Sequence, residues 1–124
     1  DVRIVTPGIP DKRIVYKMTR SYYGSLARNG VRIYEYMPGF IHAKQHISDD
    51  KTAIIGTINM DYRSLYHHFE NGVFLYNVDC IRDMRADFEN LFDQSYEVTD
   101  KYASGRSTSL RIVQCLWRFV APLM

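Results

Sequence analysis

The sequence predicts an α/β domain in which a mixed β-sheet is flanked by helices. Three observations point there. Short runs rich in β-branched and aromatic residues alternate with stretches whose apolar residues recur every three to four positions. The helical patterns stand toward both ends with strand patterns between them, the order expected of a sheet covered by helices. The 124 residues, 46% hydrophobic and 24% charged, suit a single domain over residues 1–124 with a core of its own.

Val2 to Thr6 reads as a short apolar strand, ended by Pro7-Gly8 and Pro10. Asp11 to Asn29 reads as a helix, because Ile14, Met18, Tyr22 and Leu26 recur every four residues beside Val15 and Tyr23. Asn29-Gly30 is a strong stop signal. Val31 to Tyr36 is a strand by composition, broken at Pro38-Gly39. Phe40 to Ser48 is expected as a strand, Asp49-Asp50-Lys51 as a turn, and Thr52 to Thr57 as the return strand. Residues 58–67 read as an irregular or short helical loop, and Phe69 to Tyr76 as another strand. Asp79 to Asp93 is helical, with Ile81, Met84, Phe88 and Leu91 on one side. Residues 94–108 read as a polar connection. Leu110 to Val120 is expected as a final helix, capped by Ser107 or Thr108 and stopped by Pro122. Its Leu116, Trp117, Arg111 and Arg118 suit either a membrane surface or, more simply, packing within the domain.

Net charge is +2, and the sixteen Lys and Arg are spread along the chain, so neither nucleic acid nor an acidic surface is indicated by charge. Ten Tyr against one Trp supply amphipathic rings, which fill strands and line polar clefts. Cys80 and Cys115 have no metal-type spacing and form no disulfide framework, so a reducing compartment is the default. No signal peptide or bilayer-length apolar run is present. The chain opens directly on a strand pattern without Met, which is read here as a piece of a longer protein.

The most informative stretch is His42-Ala43-Lys44 through Asp49 to Gly56-Thr57-Ile58-Asn59. A His and a Lys two apart on an extended segment point to one face. A nucleophile or proton carrier and a fixed positive charge then share a pocket. Lys44 suits a non-bridging phosphate oxygen whose charge grows in the transition state. Asn59 adds a neutral donor, although Asn after a strand also serves as a plain turn residue. Thr57 is either a hydroxyl donor or a β-branched filler, and Gly56 permits close backbone approach. Together they describe a phosphate site. His46 shares strand parity with His42 but is favoured as ordinary packing. His67-His68 suggests a metal, yet adjacent side chains diverge and no carboxylate or Cys cluster supports one. No metal and no cofactor is called for, since Lys44 and Asn59 already supply phosphate recognition.

The spacing H-x-K-x4-D-x6-G-[ST]-x-N matches six typed positions in a window of eighteen and resembles the HKD signature of the phospholipase D superfamily. The flanking residues narrow the likeness. Tyr34-Glu35-Tyr36 and Gly39-Phe40-Ile41 lead in, and Asp61-Tyr62-Arg63-Ser64-Leu65 and Phe69-Glu70-Asn71 lead out. This text resembles the C-terminal half of cardiolipin synthases of the Firmicute type. Thr57 stands where Ser is commoner, and His46 where an apolar residue is usual.

The resemblance implies a phospholipase D-like α/β/α sandwich, forming one half of a two-domain catalytic unit. It implies phosphatidyl transfer between two phosphatidylglycerol molecules through a phosphohistidine, giving cardiolipin and glycerol. Catalytic positions would be His42, Lys44, Asp49 and Glu70, and phosphate-binding positions Lys44, Thr57 and Asn59. Glu70 would accept a hydrogen bond from the second nitrogen of the imidazole; otherwise it is a strand Glu paired with an Arg. Asp49 completes the motif, but its turn position favours a cap or ion pair over proton transfer. Expected partners are phosphatidylglycerol and cardiolipin, the N-terminal phospholipase D-like domain of the parent chain, and a bacterial cell membrane reached through the parent. The chain itself is expected to be soluble, with homodimer pairing as an option and no nucleic acid. Two other readings compete: a phosphodiesterase or nuclease of the same superfamily acting as a homodimer, and a non-catalytic fragment that folds and binds phosphate.

Overall fold

The computed structural model describes residues 1–104 together with Leu116, Arg118 and Ala121. In chain order the elements are β1 (Val2–Pro7), α1 (Arg13–Arg28), β2 (Val31–Tyr36), β3 (Gln45–Ser48), β4 (Thr52–Gly56), a π-helical turn (Arg63–His67), β5 (Gly72–Tyr76), α2 (Cys80–Asp93), β6 (Ser95–Glu97) and α3 (Thr99–Ala103). The α/β class is as expected. The strands divide between two three-stranded sheets, β1-β2-β6 and β3-β4-β5. The chain forms two compact units, one from residues 1–41 and 92–124 and the other from residues 42–91. The final helix expected over Leu110–Val120 lies largely outside the described residues. Among the described residues, no helix is long and apolar enough to cross a membrane.

The first unit is built on a βαβ core. β1 and β2 pair in parallel from Val2↔Val31 to Pro7↔Tyr36, and α1 makes the crossover that a parallel pair needs. α1 begins at Arg13, two residues after the expected start, and Lys12 supplies no side-chain cap. It ends where the sequence indicates: Gly30 takes φ +85°, the left-handed conformation that a side chain disfavours, and its N–H bonds the Ala27 carbonyl. The buried face overlaps the expected stripe at Tyr23 and Leu26 but not at its start. Ile14 and Val15 are exposed, while Ser21, Tyr23, Gly24 and Ala27 are buried. Small residues let the helix approach, and Tyr23, Ala27, Ile33 and Tyr102 form the core. The Tyr23 ring meets Tyr102 edge-on at 4.9 Å. Its hydroxyl is satisfied by Thr6 Oγ1 at 2.6 Å, and burial pushes the phenol up to about 12. Buried Glu35 is held bidentately by Arg20 at 2.6 Å.

The stretch read as a polar connection, residues 94–108, holds two elements. β6 pairs antiparallel with β2 (Tyr34↔Glu97), and α3 follows. β6 is three residues long and carries Ser and Glu, so it has too little β-type composition to be seen by pattern. Its specification is tertiary: Glu97 accepts Arg32 at 2.8 Å, and the Ile33 N–H donates to Thr99 Oγ1 at 2.9 Å.

The second unit is an antiparallel meander followed by α2. β3 pairs β4 from Gln45↔Ile55 to Ser48↔Thr52, and β4 pairs β5 from Thr52↔Tyr76 to Gly56↔Gly72. The Asp49-Asp50 turn is as expected. Both residues take positive φ, 52° and 54°, which Asp tolerates, and the Lys51 N–H returns to the Ser48 carbonyl. Two strands are shorter than the sequence suggests. β3 begins at Gln45 rather than Phe40, and β5 begins at Gly72 rather than Phe69. His42, Lys44 and Glu70 therefore stand just before strands rather than in them.

Candidate active site

The β3-β4-β5 sheet fixes the frame of the site. At its end, Gly56 lies opposite Gly72. A Cβ on Gly56 would come within 2.6 Å of the Gly72 Cα, so only glycine permits this approach. The ladder continues past the strands. The Gly56 N–H bonds the Lys44 carbonyl at 3.2 Å, and the Thr57 N–H bonds the Asn71 carbonyl at 2.9 Å. These bonds anchor Lys44, Thr57 and Asn71 although none belongs to a strand.

His42, Lys44, Gly56, Thr57, Asn59 and Glu70 line one cavity of about 400 Å³. Alternation along a strand does not account for His42 and Lys44 here, since β3 starts after both. The Lys44 ammonium instead reaches back to the His42 carbonyl at 2.8 Å, so the two residues form a small local loop. One ammonium proton is used there, and a lysine carries three.

Glu70 is the anchor of the polar network. Its Oε2 accepts from Thr57 Oγ1 at 2.5 Å. The Thr57 hydrogen bond is the main cause that holds the Glu70 carboxyl below its usual range, with the nearby Ser64 hydroxyl and the Lys44 charge adding to it. Thr57 Oγ1 in turn accepts the Asn71 N–H at 3.0 Å. Thr57 is thus a hydroxyl donor to a carboxylate. Asn59 Nδ2 reaches Ser64 Oγ at 3.4 Å.

Asp49 and His46 are not among the residues lining this cavity. Asp49 sits on the β3–β4 turn, where its Oδ2 accepts from Ser48 Oγ at 3.1 Å. His46 is half-buried in β3 opposite Ile54.

Three residues at the network carried no role in the sequence reading: Arg63, Ser64 and His68. The π-helical turn places them. Asp61 Oδ1 accepts the Ser64 N–H at 2.7 Å, and the His68 N–H closes the wide turn on the Arg63 carbonyl at 2.8 Å. Ser64 is buried as a result. The Asp-x-x-Ser spacing of a side-chain-capped turn was the available signal.

The family model described as the phospholipase D-like domain of cardiolipin synthase matches residues 1–92. The chain is 43% identical over all 124 residues to cardiolipin synthase 2 of Bacillus cereus, covering 24% of that protein. It is 41% identical to a cardiolipin synthase of Geobacillus sp. and 38% identical to one of Halalkalibacterium halodurans, in each case over the whole chain and 25% of the relative. The chain spans about a quarter of the length of the curated relatives it matches.

Proposed function

Because the chain belongs to the family of cardiolipin synthase phospholipase D-like domains, we propose that it supplies one half of a phosphatidyl-transfer site. The observation that carries this reading is the convergence of His42, Lys44, Thr57, Asn59 and Glu70 on one cavity. Lys44 and Asn59 offer donors to the non-bridging oxygens of a phosphodiester. Glu70, held below its usual range chiefly by the Thr57 hydroxyl, is a fixed anion that stabilises an imidazolium at His42. Asp49 serves the β3–β4 turn and takes no proton.

The reaction runs in two displacements. An imidazole nitrogen attacks the phosphorus of one phosphatidylglycerol, forming an N–P bond as the P–O bond to glycerol breaks. An opposed acid protonates the leaving glycerol. The same group then takes the proton from the hydroxyl of a second phosphatidylglycerol, which attacks phosphorus, breaks the N–P bond and gives cardiolipin. In-line displacement needs groups on both sides of phosphorus, and this chain carries one His-Lys-Asn set. The second set comes from another phospholipase D-like domain, in the same protein or in a second copy.

The test is turnover of phosphatidylglycerol vesicles by the complete natural protein. His42→Ala is expected to lower cardiolipin formation by at least about 10²–10⁴-fold, the range for loss of an acid–base group, with the circular dichroism spectrum unchanged. Near-normal turnover overturns the assignment. A strictly monomeric 124-residue chain that makes cardiolipin overturns the half-site reading.

A further inference from the structure

His68 stands immediately beyond the π-helical turn, and its backbone N–H is tied to the Arg63 carbonyl at 2.8 Å. Its side chain is held from the other direction, because Arg63 Nε donates to His68 Nε2 at 2.7 Å. A guanidinium has no acceptor, so Nε2 must present its lone pair. The proton of the neutral imidazole is then on Nδ1, and Nδ1 faces Glu70 Oε1 at 3.9 Å. The second carboxylate oxygen, Oε2, is already bound by Thr57.

From this geometry we propose that His68 is a positioning residue for Glu70. The inference rests on the phosphatidyl-transfer reading and adds a residue to it. Thr57 restrains one oxygen of the carboxylate, and Nδ1–H of His68 is aimed at the other. At 3.9 Å the contact is longer than a hydrogen bond, and a side-chain movement of about 1 Å closes it. Sites without substrate commonly hold such contacts open and tighten when substrate binds. Arg63 does not touch the carboxylate. Its task is to choose the tautomer, since an imidazole with its proton on Nε2 would turn a lone pair toward Glu70. The chain Arg63–His68–Glu70 therefore fixes the plane of the anion that stabilises His42.

Two measurements test this. The ¹⁵N shifts of the His68 ring should show the proton on Nδ1; a proton on Nε2 overturns the proposal. In the complete natural protein, His68→Leu should lower kcat about ten- to hundredfold with KM for phosphatidylglycerol vesicles unchanged, the usual cost of losing an outer partner. His68→Asn keeps an amide N–H at the place of Nδ1–H and should recover most of the lost kcat, which a merely structural role would not require. Normal kcat in His68→Leu beside an inactive His42→Ala overturns the positioning role alone. An active His42→Ala overturns the transfer reading, and this role with it.

Discussion

Replacing Gly56 by alanine tests whether the close β4–β5 approach holds the site together. The added Cβ would lie 2.6 Å from the Gly72 Cα, against 3.4 Å for ordinary contact, a shortfall of about 0.8 Å. The obstructing atoms belong to the backbone of Asn71 and Gly72, so no rotamer change relieves them and the strands must part. Forced overpacking of this kind costs roughly 1–3 kcal/mol. For a chain of this size, a midpoint loss of about 4 °C per kcal/mol gives a fall of about 4–12 °C. The same parting stretches the 2.9 Å bond from Thr57 N–H to the Asn71 carbonyl, and Thr57 carries Glu70. Activity should therefore fall beyond what the lost stability explains. Gly72→Ala is the control: its Cβ is tight only on the Ile58 side-chain tip at 3.2 Å, which can move, and meets Ile54 Cγ2 and the Ile55 carbonyl at an ordinary 3.7 Å. Thermal unfolding by circular dichroism of both variants decides it. Equal midpoints for Gly56→Ala and Gly72→Ala would refute the reasoning.

A phosphate or sulfate ion is expected to bind the cavity against Lys44 and Asn59, seen as shifts of their side-chain resonances on titration. Lys44→Ala should abolish the shifts, and persistence of the shifts in that variant would count against the site. Stability should also depend on pH at both extremes. The Arg32 hydrogen bond is the main cause that lowers Glu97 from an ordinary 4.5 to about 2. The folded state therefore binds that proton less readily than the unfolded one. The contribution of Glu97 is full above pH 4.5 and is lost as pH falls toward 2. The effect is modest because the pair is solvent-screened, and Glu97→Gln should flatten the acid limb of a midpoint-against-pH curve. Tyr23 behaves oppositely. Burial raises it from 10.0 to about 12, so its contribution holds below pH 10 and is lost as pH rises toward 12. Tyr23→Phe should remove that alkaline limb, and an unchanged limb would assign it elsewhere.

What the sequence made legible follows from how locally each feature is specified. β2 was read with its observed bounds because β-branched and aromatic residues run between two breakers, Gly30 and Pro38. The end of α1 was legible for the same kind of reason, a glycine whose positive φ stops a helix. The buried face of α1 was not. Tyr23 and Leu26 of the expected stripe do meet the core, but Ile14 and Val15 are exposed, and Ser21 and Ala27 are buried by tertiary packing that no local pattern specifies. β6 is not legible because three residues carry little pattern and its ladder is to β2, 63 residues back at Tyr34↔Glu97. At the site, residue types and spacing point to His42, Lys44, Thr57 and Asn59, and the family resemblance adds Glu70. Strand alternation does not bring His42 and Lys44 together; they meet through a local loop before β3.

The residues that lead out of the motif have a physical reason to accompany it. Asp61 caps the turn that buries Ser64. Ser64 accepts from Asn59, and Arg63 holds His68, which faces the Glu70 carboxylate. Each polar residue from Asp61 to Ser64, Tyr62 aside, therefore bears on the placement of Glu70 or Asn59. A π-helical turn suits this task better than an α-turn. Its i−5 bond, from the His68 N–H to the Arg63 carbonyl, leaves the two side chains free to meet at 2.7 Å while Ser64 points inward. On this account the functional unit extends from His42 to Asn71. On the proposed reading His42, Lys44 and Asn59 face the phosphate, Asp49 holds the β3–β4 turn, Thr57 binds the carboxylate, and the twelve residues after Asn59 place that carboxylate.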